Sequence, residues 1–220
     1  MQWWKATLGR WGGPRSSKRL SAVRLTMPGW SEDSSKDGDL RVWRDSQGDV
    51  LSLSAVESLG LPEISNETAV QRYSRKLAES RHGGLIEVSV VTGTLGATVG
   101  LIYKRLEKPA YIFTGMLLVP RQHDSQVWTV VAGERGTTGS REAVITAELV
   151  NAGELRMQDF ERSWAQDPYD PTYCGVDRRV LRFLSDDKCY DARFPKHPLP
   201  KVRHLLATLP DWVVDPGSPS

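Results

Sequence analysis

From residue 22 the chain alternates apolar and polar positions: Val23, Leu25 and Met27 are separated by Arg24 and Thr26. A period of two predicts a half-buried strand, closed here by the turn Pro28-Gly29. The polar run 31–39 reads as an exposed loop. Leu40–Arg44 predicts a second strand, Ser46-Gln47-Gly48-Asp49 a turn, and Val50, Leu51 and Leu53 a third strand. Short strands joined by turns predict antiparallel hairpins.

Over residues 65–81 the period lengthens. Val70, Tyr73 and Leu77 recur at helical spacing, with Arg72, Arg75, Lys76 and Glu79 on the other side, which predicts an amphipathic helix. Ser65 or Asn66 is placed to cap it, and Gly83 to supply the left-handed backbone at its end. Four stretches rich in Val, Ile, Thr and aromatics follow: Leu85–Val91, Thr94–Lys104, Ala110–Val119 and Gln126–Ala132. Their breaks, at Thr92-Gly93, Glu107-Lys108-Pro109 and Pro120 to Ser125, are short, so they predict an antiparallel meander. A second helix is expected from Ser140 to Asn151, stopped by Gly153.

Farther on, Pro168 and Pro171 disfavour helix over residues 167–173. Short helices are expected at 178–184 and at 200–209, the latter ended by Pro210. The fold class expected is α+β, an antiparallel sheet of six or seven strands with helices packed on its faces. The chain divides into a flexible basic segment, 1–20, a core, 21–152, a C-terminal extension with short helices, 153–212, and a disordered tail, 213–220. No internal repeat is present.

Charge modifies this picture in one place. Residues 1–20 hold Lys5, Arg10, Arg15, Lys18 and Arg19 and no acid, a local charge of +5, so the +2 of the whole chain leaves −3 for residues 21–220. Basic and acidic residues alternate along the body, as in Arg41 to Asp45, which disfavours nucleic acid as a partner. Trp3, Trp4 and Trp11 beside those cations give residues 1–20 the composition of a weak membrane-surface contact. That segment lacks the apolar stretch of a secretory signal, and no apolar run is long enough to span a bilayer. A cytoplasmic protein, peripheral to a membrane at most, is expected.

The element order, together with the turn Met27-Pro28-Gly29-Trp30, resembles the PsbP-like α/β/α sandwich superfamily, to which the Mog-type Ran-binding proteins belong; the match covers residues 21–152. The phrases Trp43-Arg44, Gly48-Asp49-Val50-Leu51, Glu134 to Gly139 and Tyr190 to Pro195 resemble those of an uncharacterised bacterial family. The resemblance implies a non-enzymatic protein that binds or assists another protein. It carries over no catalytic residue, and one scaffold hosts many functions.

The residues themselves offer two candidate surfaces. Gly133 to Arg141 joins a predicted strand to a predicted helix. Its glycines allow a backbone nest at a helix N-terminus, and Arg135, Gly136, Thr137, Thr138, Gly139, Ser140 and Arg141 could together hold a phosphate or carboxylate. The loop lacks the Lys-Ser/Thr of a nucleotide-binding P-loop; its bland alternative is a tight turn with Glu134 paired to an arginine. The second surface comprises Trp164, Tyr169, Tyr173 and Tyr190, aromatics in irregular, acid-rich sequence, which suit contact with another protein. Cys174, Cys189, His197 and His204 lack the close pairs of a zinc site, and the cysteines are expected to be buried, inert thiols. The nine acids of residues 161–220 match nine cations, so ion pairing accounts for them. No nucleophile elbow or zinc-helix motif occurs; neither a cofactor nor a metal is expected.

Overall fold

The computed structural model describes residues 20, 22–33, 40–121 and 124–214. The expectations for the Trp-rich basic segment and for residues 215–220 fall outside these residues, apart from Leu20, which is buried. In chain order the elements are β1 (Arg24–Leu25), β2 (Trp30–Asp33), β3 (Leu40–Asp45), β4 (Val50–Val56), helix α1 (Glu67–Glu79), β5 (Gly84–Gly93), β6 (Gly96–Glu107), β7 (Ala110–Pro120), β8 (Ser125–Gly133) and helix α2 (Ser140–Asn151). The C-terminal third adds a helical turn at Phe160–Ser163, β9 (Ala165–Gln166), β10 (Arg182–Phe183), helix α3 (Pro198–Trp212) and β11 (Val213–Val214).

Seven strands form one antiparallel sheet in the order β2-β3-β4-β8-β7-β6-β5. The meander β5 to β8 is as expected, and its last strand inserts against β4, with Leu53 opposite Trp128. Alternation along β7 shows how both faces are covered. Phe113, Leu117 and Val119 pack with Leu199, Val202, Leu205 and Leu209 of α3. Met116 and Leu118 pack with Val70 and Ala78 of α1 on the opposite face. Ile112 to Val119 are consequently all buried, which is why this strand reads as an apolar run interrupted only by Thr114. Gly115 lets α3 approach: a Cβ there would lie 2.6 Å from Val202 Cγ1. Trp43 and Trp128 stack beneath α3, ring centroids 5.7 Å apart.

Several boundaries differ from the expectation. Trp30–Asp33 is strand rather than loop, because Glu32 and Asp33 pair across the ladder with Arg41 and Arg44. Asn66 is the cap of α1, its side chain accepting from Ala69 N–H at 3.0 Å. The left-handed residue after α1 is His82, φ 56°, not Gly83; Gly83 is needed because a Cβ would strike the Tyr103 ring at 2.5 Å. β5 runs through Gly93, and the chain turns at Thr94-Leu95, so the tight turn lies one dipeptide later than expected. In place of one helix at 178–184 there are 3₁₀ turns at Arg178–Val180 and Leu184–Asp186 on either side of β10.

α3 begins earlier and ends later than expected. Pro198 opens it, where its fixed φ suits the first helical turn, and Pro210 lies inside it. The last turn is held from outside: Pro210 C=O accepts from Thr94 Oγ1 and Trp212 C=O from Thr26 N–H. Val213 and Val214, expected in the tail, pair instead with Leu25 and Arg24. No helix among the described residues is long and apolar enough to cross a membrane.

Candidate ligand-binding cleft

β8 delivers the chain to Gly133, and the following loop turns on Gly136 and Gly139, both at positive φ, before α2 starts at Ser140. Gly139 has no side chain to cap α2, and the carboxylate of Glu134 bonds the backbone of Gly139 itself. Its Oε1 accepts from Gly139 N–H and its Oε2 from Tyr111 N–H, each at 3.1 Å. The acid thus sits at a helix N-terminus, where the helix dipole favours negative charge. The side chain it faces is His197, not an arginine: Nε2 lies 3.5 Å from Glu134 Oε1. Burial pushes the Glu134 pKa up, but His197 and the two backbone donors outweigh it and hold the group below the usual carboxylate range.

Glu142, one turn into α2, lies within reach of both. Ligand atoms of Glu134, Glu142 and His197 are all within 4.8 Å of one another. Neither Glu142 oxygen accepts a hydrogen bond from another described residue, and both are buried. Burial raises its pKa; nearby Lys104 opposes this, and Glu134 and Asp186 reinforce it. The same burial and the same three acids push Tyr111 up to about 12.

Two carboxylates and an imidazole are a metal-ligand set by type, but the histidine is in the wrong tautomer. His197 caps α3, its Nδ1 accepting from Leu199 N–H at 3.2 Å. The ring proton therefore sits on Nε2, facing Glu134. A metal on Nε2 would need the proton on Nδ1, where the Leu199 N–H already points.

Above this buried cluster opens a cleft of about 420 Å³. One wall is Glu134, Arg135, Thr137 and Ser140; the other runs from Arg193 through Lys196 and His197 to Pro198. The second wall is set by a tether of buried cations. Lys104 of β6 and Asp186 are both fully buried and 2.5 Å apart, and Lys104 Nζ lies 3.1 Å from the Phe183 ring centroid. Burial lowers the Lys104 pKa against the pull of Asp186. Arg141 donates to Ser185 C=O, Asp187 C=O and Asp191. Arg203 donates to Glu87, Asp191 and Asp186 C=O. Residues 183–191 are thereby clamped between sheet, α2 and α3, and the segment that follows returns over the glycine loop.

The loop residues singled out from sequence are therefore divided. Thr137 and Ser140 line the cleft with Arg135. Arg135 also pairs with Asp49 and donates to Gln47 at 2.8 Å. Gly136 and Gly139 supply the turns, and Thr138, half-buried, is not among the cleft's lining residues. Arg141 is fully buried on the tether, away from the cleft. Sequence reasoning missed Arg193 and Lys196 and weighed His197 only as a zinc ligand; all three meet the loop only through tertiary packing, and the phrase Tyr190 to Pro195 was the nearest signal.

The aromatic group does not form one exposed surface. Trp164 is buried, stacked between Phe160 and Phe183. Tyr169 is half-buried, bonded to the backbone of Val88. Tyr173 lies under the Arg75 guanidinium, and Tyr190 packs near Arg193. Both cysteines are exposed free thiols, not buried ones; Cys189 lies on the outward side of the 3₁₀ segment Lys188–Arg193 in which no residue is buried.

No family model matches the chain, and no curated protein matches it. Among solved structures it is similar to the Ran-binding protein Mog1p of Saccharomyces cerevisiae, at 12% identity and TM-score 0.41, over 62% of this chain and 81% of that one. A point mutant of the protein Mog1 matches at 12% identity and TM-score 0.39, over 59% and 79%. LpqN of Mycobacterium tuberculosis, involved in cell envelope biogenesis, matches at 14% identity and TM-score 0.30, over 59% and 78%. These are distant likenesses of fold and say nothing of this chain's ligand.

Proposed function

We propose that the protein binds a small anionic molecule in the cleft between the loop Gly133 to Ser140 and the segment Arg193 to Pro198. The supporting observation is the composition of the cleft. Arg135, Arg193 and Lys196 stand around it with the hydroxyls of Thr137 and Ser140, while its one carboxylate, Glu134, is buried and already bonded to two backbone N–H groups. A lining that is cationic and rich in donors suits a carboxylate or phosphate group, and about 420 Å³ is within the range of small-molecule sites. Phe194, Pro195 and Pro198 add an apolar side on which the rest of a ligand could pack.

The reading is binding without turnover. Behind the cleft Glu134 bonds the start of α2 and His197 caps α3, and the cations and hydroxyls at the mouth are donors rather than bases. Thermal denaturation in inorganic phosphate, and separately in succinate, tests it. Stabilisation that saturates with concentration is expected, and Lys196→Ala should weaken it about tenfold, the loss of one charge-assisted hydrogen bond. Stabilisation that grows without saturating, equally in wild type and variant, would reflect general salt effects and contradict the proposal.

A further inference from the structure

The sheet has two edges, and they differ in how they are guarded. β2, at one edge, carries Glu32 and Asp33, whose partners are Arg41 and Arg44. Charge of this kind keeps an edge from pairing with another strand. β5, at the other edge, is covered over its first half. Val180 C=O lies against Gly84, and the Tyr169 hydroxyl accepts from Val88 N–H at 2.7 Å and reaches Val88 C=O at 3.4 Å. Its second half, Ser89 to Gly93, is exposed and contains no charged residue.

The direction of the backbone groups on this open half follows from Val88. Because its N–H and C=O turn away from β6 toward Tyr169, the period of two turns those of Val90 and Thr92 outward as well. Val91 faces the other way, and its C=O accepts from Thr98 Oγ1 across the β5–β6 pair. Val90 and Val91, 45% and 40% exposed, are two of the four large hydrophobic side chains most open to solvent among the described residues.

We infer that this open half of β5 pairs, antiparallel, with the same segment of a second copy of the chain. A twofold axis through Val91 places Val90 of each copy opposite Thr92 of the other, and their outward N–H and C=O groups then exchange hydrogen bonds. Val91 meets its own counterpart as an apolar cross-strand pair. The segment is uncharged, so two copies meet without repulsion, whereas two β2 edges would bring acids and arginines into uncontrolled register. The pairing also fits at both ends. Tyr169 blocks the ladder below Ser89, and the Thr94-Leu95 turn leads the chain away above Gly93. Each turn thus comes to rest beside the other copy's Tyr169, and the sheet continues across the axis. The contact is short, so the dimer is weak and concentration-dependent.

Sedimentation velocity on the full chain over a concentration series tests this, with circular dichroism to confirm folding. Wild type should shift from monomer to dimer. Val91→Lys and Val91→Glu, each alone, set like charges directly opposite and should weaken association at least about fivefold; mixing the two should restore it. Val90→Pro removes an outward N–H that takes no part in the β5–β6 ladder, so it should abolish association and leave the fold intact. A wild type that stays monomeric throughout overturns the inference. So does association that survives both Val91 charge variants and Val90→Pro, because another surface would then be responsible.

Discussion

Replacing Asp186 with alanine should cost the protein a large part of its stability. Lys104 and Asp186 are each fully buried and 2.5 Å apart. Asp186 Oδ2 also accepts from Phe183 N–H at 2.8 Å. Asp186→Ala leaves an ammonium facing the Phe183 ring with its anion gone, at a cost of about 3–5 kcal/mol for a buried pair broken on one side. The Phe183 N–H loses its acceptor as well, which adds roughly 1 kcal/mol or more. Against a typical total of about 5–15 kcal/mol, that is close to unfolding. Lys104→Met should cost about the same 3–5 kcal/mol, leaving a buried carboxylate with one backbone donor. The double variant Lys104→Met/Asp186→Leu removes both charges and should be more stable than either single one. Urea denaturation followed by circular dichroism gives all four values. The reasoning fails if Asp186→Ala lies within about 1 kcal/mol of wild type, the value expected of an exposed pair, or if the double variant costs as much as the two singles added.

Other outcomes follow from the same structure. Glu142 is raised by burial, so its contribution to stability is full below the usual carboxylate range and is lost as pH rises through its folded value. Glu142→Gln should abolish that loss on raising the pH, as thermal melts across a pH series would show. Glu134 is lowered, so its contribution is present above the usual range and is lost as pH falls through its folded value; Glu134→Gln should be less stable at neutral pH and less sensitive to acid. Gly84→Ala would drive a Cβ into the Val180 backbone, so the variant should melt well below wild type and expose residues 178–183 to proteolysis. Arg193→Ala loses an exposed pair with Glu148 and contacts with the Tyr190 and Phe194 rings, and it should lower the melting temperature only slightly while weakening phosphate binding.

The sheet was legible in the sequence because it is the part of the fold governed by local pattern. β5 to β8 alternate or run apolar, their turns carry Gly and Pro, and α1 and α2 show both period and boundary residues. What local pattern cannot report is tertiary pairing. Trp30–Asp33 is polar because it is an edge strand whose acids meet Arg41 and Arg44, and in isolation such a run looks like a loop. Pro210 should end a helix, yet Thr94 and Thr26 hold the carbonyls of the last turn. Half of the candidate cleft was visible, since a glycine loop before a helix is a recognisable arrangement. Its other wall was not, because Arg193, Lys196 and His197 reach the loop only after Lys104, Arg141 and Arg203 have clamped residues 183–191. Arg141 illustrates the limit: its place after the last glycine suggests a ligand-binding arginine, and the structure spends it on Ser185, Asp187 and Asp191.

The most direct test of the cleft is a titration with inorganic phosphate followed by nitrogen-edited NMR, in wild type and Lys196→Glu. Binding in the cleft predicts saturable shifts confined to residues 134–140 and 193–198, lost in the variant. Shifts scattered over surface cations, with the same concentration dependence in both proteins, would contradict it.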